Sequence, residues 1–270
     1  MRTSSDEAVQ GYNHKKNSKQ RQKNYNSTRK GWVAAVGIGP GGGKSLSLEA
    51  YETIKEATVV IGYKTYLNLI SELTEGKEIY FSSMKQEVER CKEALKLANQ
   101  NKKVAIVSSG DPGVYGMAGV LLELRENLDL EVRIIPGITS ATGTAASLGA
   151  PLMHDFAVIS LSDLLTPWEK IERRIEGAAS SDFVIVLYNP KSSNRVKHIE
   201  KAQTIISKYR SHDTPVGIVT NNYRNEEKIT ISTLGKFVDE EIDMRTTVII
   251  GNSKSYVKFS QIITPRGYTL

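Results

Sequence analysis

A single cysteine, Cys91, stands in 270 residues, so the chain can form no internal disulfide and no cysteine-based metal site. Val88, Cys91, Leu95 and Ala98 recur at helical spacing, which predicts a small packed side chain on a helix over 85–100 rather than a reactive thiol. Such sparing use of cysteine fits a reducing, cytoplasmic setting. Long apolar runs are missing as well. None approaches the roughly 20 residues needed to cross a bilayer, and the N-terminal stretch lacks the apolar centre of a secretory signal. Excess charge of one sign is absent from the body of the chain. Residues 1–31 hold eight of the 36 Lys/Arg and two of the 30 Asp/Glu, which leaves 28 of each. The formal charge of +6 therefore belongs to the tail, which is rich in Asn, Gln, Ser and Lys, has no apolar periodicity, and is expected to be a disordered, solvated extension. A transit peptide stays open there, with Asp6 and Glu7 against it. A neutral body argues against nucleic acid as a partner, since that affinity rests on cationic contacts with phosphates. Neither a membrane nor a nucleic-acid partner is expected.

Beyond the tail, apolar runs rich in β-branched residues alternate with amphipathic stretches. Strands are expected over 32–39, 58–62, 78–81, 104–108 and 132–135, and helices over 46–54, 65–73, 85–100 and 116–126. This βαβα order implies a mainly parallel sheet covered on both faces. A run of small residues over 139–149 permits close packing or close approach of a ligand. A second α/β half follows, with strands over 156–161, 183–187 and 216–220 and helices over 167–179 and 194–210. Residues 228–233 alternate polar and apolar, a half-exposed antiparallel signature, before a short helix over 236–241 and a strand over 247–250. The expected division is a tail at 1–31, an N-terminal α/β domain at 32–150 and a C-terminal α/β domain at 151–270.

The first strand ends in Gly37-Ile38-Gly39-Pro40-Gly41-Gly42, which satisfies the G-x-G-x-x-G spacing of dinucleotide folds. That motif also needs an acidic residue at the end of the second strand to hold a ribose. Val60-Ile61-Gly62-Tyr63-Lys64 supplies none, and Pro40 removes an amide from the turn. Gly43-Lys44-Ser45 ends like a phosphate-binding loop, but position 38, where that loop needs glycine, is Ile. Both nucleotide readings fail. Further turns of the same kind follow later strands, at Gly110-Asp111-Pro112-Gly113-Val114-Tyr115 and at Pro136-Gly137-Ile138-Thr139-Ser140. Three Pro/Gly turns at three strand ends suggest a cofactor held largely by backbone groups, where ligands of open α/β sheets bind.

These three segments, in this order and spacing, resemble the tetrapyrrole methylase family, and the resemblance runs from about Gly31 to Leu270. It implies two αβα domains, a mainly parallel N-terminal sheet and a mixed C-terminal sheet, with the active-site cleft between them. It also implies S-adenosylmethionine as methyl donor, a tetrapyrrole substrate, no protein-bound metal and a homodimer. Residues 148–156, 159–168, Leu187-Tyr188-Asn189-Pro190 and Pro265-Arg266-Gly267-Tyr268 narrow the resemblance to members that methylate C-17 of precorrin-3B or cobalt-factor III in cobalamin biosynthesis, with associated ring contraction. Rivals are methylases of the same fold acting on another ring carbon, on diphthine or on ribosomal RNA, and a non-catalytic tetrapyrrole carrier.

By that resemblance the donor is expected to contact Pro40, Gly110, Asp111, Pro112, Val114, Tyr115, Thr139, Ser140, Tyr188, Asn189, Thr246, Thr247 and Val248. Backbone amides and carbonyls at such turns suit amino-acid and adenine groups, and Asp111 could offset a sulfonium or bind an ammonium. Methyl transfer to a ring carbon is an in-line displacement for which positioning supplies much of the catalysis. Ring contraction needs proton transfers. His154, Asp155, Ser162 and Asp163 have suitable chemistry, with capping or turn formation as the alternative role of Asp155 and Ser162. Lys191 and Arg195 could pair with substrate carboxylates or be solvated charges, and His198 is expected to face solvent.

Overall fold

The computed structural model describes residues 31–41, 43–82, 86–125 and 128–269. The expected basic tail lies outside these residues except for Gly31, as do Gly42 of the glycine motif and the helix ends expected at Lys85 and Glu126.

The first half builds a five-stranded sheet in the order β3-β2-β4-β1-β5, from β1 (Trp32–Gly37), β2 (Val59–Tyr63), β3 (Glu78–Ser82), β4 (Lys103–Ser108) and β5 (Glu131–Ile135). Every pairing is parallel. Alternate residues of β1 serve both faces. Val33 and Ala35 join one apolar cluster, with Cys91, Leu95 and Leu121. Trp32, Ala34 and Val36 join another, with Ala50, Ile54 and Leu67. A strand buried on both sides must read as a continuous apolar run, as this one does. Over one face lie α1 (Leu48–Glu56), α2 (Lys64–Asn68) and α3 (Ser71–Thr74), and over the other α4 (Glu87–Asn99) and α5 (Ala118–Arg125). The Ser47 hydroxyl starts α1 by accepting from the Ala50 amide at 3.1 Å, a contact of the N-cap kind.

Helix α6 (Ser140–Leu148) and the short strand β6 (Gly149–Ala150) lead into the second half. There β7 (Phe156–Ser160), β8 (Val184–Tyr188), β9 (Pro215–Thr220), β10 (Lys228–Thr233) and β11 (Thr246–Ile250) form a mixed sheet in the order β10-β9-β11-β8-β7. Only the β7/β8 pair is parallel. One face carries α7 (Trp168–Ser180) and α8 (His198–Ile206), closed around Ile171, Ile175, Ile206 and Phe237. On the other face α6 buries Ala141, Ala145 and Leu148 against Val184, Val186, Val219 and Ile249. Helix α6 thus packs on the second sheet although it precedes residue 150. Each fully buried Ile or Leu of these layers contributes about 1.5–3 kcal/mol.

The expected parallel and mixed αβα layers are both present. Several local expectations are corrected. Val88 is exposed, and the buried stripe of α4 runs through Cys91, Ala94, Leu95 and Ala98. The single helix expected over 65–73 is broken into α2 and α3 at Leu69 and Ile70. Helix α8 starts only at His198, because reciprocal backbone bonds between Ser192 and Arg195 hold the preceding residues in a turn. Residues Phe237–Asp239 form one 3-10 turn in place of a helix over 236–241. A small sheet in the order β12-β13-β6, from β12 (Tyr256–Lys258), β13 (Gln261–Ile263) and β6, was not anticipated. Its strands are too short to show a period.

Candidate active site

In the first sheet β1 connects to β2 across β4, whereas β4 connects to β5 across β1. The two connections leave neighbouring strand ends in opposite directions, and such a reversal opens a crevice beyond the carboxyl ends. Across it Gly39 and Gly110 form an isolated antiparallel bridge, with amide-to-carbonyl distances of 3.1 and 2.8 Å. Both sit at φ near +70°, where a side chain would be strained. A Cβ on Gly37 would stand 2.7 Å from both the Gly110 carbonyl oxygen and the Gly137 amide nitrogen. The three turns are therefore stacked backbone on backbone. Asp111 ties them together: its Oδ1 accepts from the Gly113 amide at 2.8 Å and its Oδ2 from the Gly137 amide at 3.0 Å.

Two tyrosines join this corner to the second sheet. Tyr115, at φ +53°, donates its hydroxyl proton to the Val158 carbonyl at 3.1 Å and accepts from the Ser160 amide at 3.2 Å, filling the open edge of β7. The Tyr188 hydroxyl lies 2.6 Å from Thr139 Oγ1 and accepts from the Ala141 amide at 2.6 Å, so it caps α6 from another element. Burial pushes the Tyr188 phenol above its ordinary pKa, opposed by those hydrogen bonds. The two rings meet at a tilt, with centroids 5.9 Å apart. Asn189, at φ +49°, donates to Ser160 Oγ at 2.9 Å and accepts at its carbonyl from Arg195 Nη2 at 2.7 Å.

The remaining wall comes from the turn after β9. Asn221 and Tyr223 both take positive φ there, and Glu227 Oε1 fixes the turn by accepting from Asn222 Nδ2 at 2.9 Å and the Tyr223 amide at 3.1 Å. Gly143 of α6 lets the turn approach, since a Cβ there would be 2.6 Å from Asn222 Oδ1. Arg224 then reaches back to the first sheet. Its Nε donates to the Pro40 carbonyl at 2.6 Å and its Nη2 to Ser109 Oγ at 2.8 Å. Between these walls lies a cleft of about 430 Å³, within the roughly 300–1,000 Å³ of small-molecule sites. Tyr63 at the end of β2 and Thr65 and Tyr66 of α2 complete the lining.

Of the residues expected to hold a cofactor, Pro40, Val114, Tyr115, Ser140, Tyr188, Asn189, Thr246 and Thr247 line this cleft. Gly110, Asp111, Pro112 and Thr139 belong to the adjoining turns and are not among the lining residues. Val248 is wholly buried in the core beside α7 and α8, not on the cleft wall. Sequence reasoning missed Tyr63, Tyr66, Ser109, Asn221, Asn222, Arg224, Met244 and Arg245, all of which line the cleft. Asn221-Asn222-Tyr223-Arg224, a polar and aromatic turn directly after a buried strand, was the available signal.

The four residues with acid–base chemistry separate into two groups. His154 and Asp155 precede β7, about 13 Å of strand from the carboxyl end. They line a second pocket with Asp182, Lys254 and Arg266, and the structure does not bring them to the cleft. Ser162 and Asp163 follow β7. The Ser162 amide donates to Ser160 Oγ at 3.2 Å, and Asp163 Oδ2 lies 3.0 Å from His198 Nε2. His198 is therefore not solvent-facing: its side chain is 16% exposed, its Nδ1 is buried without a partner, and its ring stands edge-on to Trp168 at 4.4 Å. Arg195 reaches from beside Asp163 to Met244 Sδ at 3.6 Å on the cleft wall. No group of three or more His, Cys, Asp or Glu among the described residues could hold a metal ion. No helix among them is long and apolar enough to cross a membrane.

A family model described as Tetrapyrrole (Corrin/Porphyrin) Methylases matches residues 33–238. The chain is 48% identical over 240 residues to the probable cobalt-factor III C(17)-methyltransferase of Salmonella typhimurium, covering 88% of this chain and 100% of that one. It is 47% identical over 245 residues to the cobalt-factor III methyltransferase of Priestia megaterium, of which it spans 45%. Among solved structures, the methyltransferase CobJ superposes with a TM-score of 0.82 at 35% identity, covering 87% of this chain and all of that one. Uroporphyrin-III C-methyl transferase from Thermus thermophilus, complexed with S-adenosyl homocysteine, shares the fold with a TM-score of 0.65 at 22% identity, over 82% of this chain and 97% of that one.

Proposed function

This chain belongs to the tetrapyrrole (corrin/porphyrin) methylases, and we propose that its cleft transfers a methyl group from S-adenosylmethionine to C-17 of cobalt-factor III or precorrin-3B in cobalamin biosynthesis. The observation that carries this reading is identity approaching one half with the probable cobalt-factor III C(17)-methyltransferase of Salmonella typhimurium over that protein's whole length. The chemistry of the cleft agrees. Its wall offers hydroxyls and a side-chain amide from Thr65, Ser109, Ser140, Asn189, Thr246 and Thr247, apolar surface from Pro40, Val114 and Met244, and, among the described residues, no carboxylate. Such a set fits a nucleoside with an amino-acid arm.

S-adenosylmethionine supplies an electrophilic methyl group carried on a sulfonium. Pro40 and Val114 would present apolar surface to it, while Ser140, Asn189 and Thr246, which line the cleft, would supply the hydrogen bonds that orient it. The turns at Gly39, Gly110 and Gly137 are locked by backbone bonds and by Asp111, so the wall is formed before the ligand arrives. A preformed wall lowers the ordering cost of aligning two reactants, and alignment is the main catalytic requirement of an in-line displacement. For ring contraction we assign proton transfer to Asp163, paired with His198 beyond the carboxyl end of β7; neither residue is in the cleft lining, and His154 and Asp155 stand at the other end of the strand. Two domains meeting at the cleft, assembly as a homodimer and residence in the cytoplasm belong to the same proposal.

Incubation with S-adenosylmethionine and either cobalt-factor III or precorrin-3B should add the mass of one methyl group to the tetrapyrrole and release S-adenosylhomocysteine. No mass gain on either substrate refutes the reading.

A further inference from the structure

Two arginines line the cleft, and they differ in how their charge is met. Arg245 lies 2.6 Å from Asp243, an exposed pair that satisfies it locally. Arg224 has no carboxylate within 4.0 Å among the described residues; its partners are the neutral Pro40 carbonyl and Ser109 hydroxyl. Those bonds use two of the five N–H donors that a guanidinium carries, and three remain. The side chain is partly withdrawn from water, and that burial lowers its pKa, with the Tyr66 phenol acting in the opposite sense. A guanidinium still keeps its proton at any working pH. A partly desolvated cation with unused donors and no counter-ion is costly unless an anion completes it.

We propose that Arg224 is the carboxylate-binding residue of the cleft, and that a peripheral carboxylate of the tetrapyrrole docks on its free N–H edge and orients the macrocycle. This inference rests on the function proposed above. Tetrapyrrole precursors carry acetate and propionate side chains that are ionised at neutral pH, and planar carboxylates match the guanidinium fork. The surroundings favour the macrocycle over the donor's own carboxylate. Arg224 stands near the Tyr66 phenol, and the rings of Tyr63 and Tyr66, set edge to face at 5.4 Å, add aromatic surface to the same cleft lining. The hydroxyl- and amide-bearing residues suited to the nucleoside, Asn189, Thr246 and Thr247, come from the second sheet's strand ends. The tethers to Pro40 and Ser109 hold the guanidinium before substrate arrives, so little side-chain entropy is lost on binding.

The test compares Arg224→Gln, which keeps donors but no charge, and Arg224→Lys, which keeps charge but no fork. Binding of cobalt-factor III is followed by its visible absorbance and binding of S-adenosylhomocysteine by calorimetry. Arg224→Gln should weaken the tetrapyrrole about tenfold to a hundredfold, the range for losing a hydrogen bond to a charged group. Arg224→Lys should fall between it and the unaltered protein, KM should rise more than kcat falls, and S-adenosylhomocysteine affinity should stay within about twofold. Equal losses for both ligands would assign Arg224 to the donor or to the scaffold and overturn the proposal, as would unchanged tetrapyrrole affinity. If Arg224→Gln gives no cooperative melting transition, Arg224→Lys alone decides by the same criterion. Unaltered protein that binds S-adenosylhomocysteine but neither cobalt-factor III nor precorrin-3B overturns the functional reading itself, an outcome distinct from a silent Arg224.

Discussion

Replacing Tyr188 by Phe removes one oxygen and leaves the ring in place against Tyr115. That oxygen holds two contacts at 2.6 Å, with Thr139 Oγ1 and with the Ala141 amide. The amide belongs to the first turn of α6, whose N-cap residue makes no side-chain cap of its own. Tyr188→Phe therefore uncaps the helix, a change that costs about 0.5–2 kcal/mol. It also leaves a partly buried hydroxyl without its partner, at about 1 kcal/mol. The expected loss is about 1–3 kcal/mol, which lowers Tm by about 2–5 °C in a chain of this size. Because Ser140 lines the cleft at this helix start, S-adenosylhomocysteine affinity should fall with stability, by roughly three- to tenfold. Thermal melting followed by circular dichroism and titration calorimetry read the two effects. A Tm within about 1 °C of the unaltered protein refutes the capping argument. A lowered Tm with unchanged ligand affinity separates the cap from the site.

Burial raises the Tyr188 pKa, so the fold favours its neutral form. The stability this supplies is full below the unfolded value of about pH 10 and is lost as pH rises through the higher folded value. The alkaline limb of a stability profile should be shallower in Tyr188→Phe. Gly37→Ala forces a Cβ to 2.7 Å from backbone atoms of both other turns, and should cost about 1–3 kcal/mol and weaken donor binding; a variant as stable as the parent in urea denaturation disproves the close stack. Arg210, whose guanidinium is fully buried and donates to the carbonyls of Phe183 and Gly251, leaves both carbonyls unpaired when changed to Met, a loss of about 1–3 kcal/mol for each, read by the same denaturation. Cys91 is buried and its thiol is pushed up to about 11, so a thiol reagent at pH 8 should label it only after unfolding.

The parallel sheet was legible because β1 and β4 are buried on both faces and therefore read as unbroken apolar runs. The turns were legible because positive φ at Gly39 and Gly110 demands glycine. Asp111 was visible as a residue but not as a tie, since its partner Gly137 lies a whole crossover away. Arg224 was invisible for the same reason: it meets Pro40 across 184 positions of chain. The separation of Asp155 from Asp163 follows from strand geometry, which places residues before and after β7 at opposite ends of the sheet. His198 was misread because helical phase alone puts it opposite the buried stripe, whereas Asp163 from the loop after β7 and Trp168 at the start of α7 cover it.

The Tyr115 hydroxyl stands in for a missing strand. On the outer edge of β7 it engages the Val158 carbonyl and the Ser160 amide, two of the groups through which another chain would otherwise extend the sheet. Edge-to-edge association along β7 must first displace that phenol, and with it a wall of the cleft. Aggregation through this part of the edge therefore competes with an intact ligand site. A ligand that holds Tyr115 in place also guards the protein against its own exposed strand.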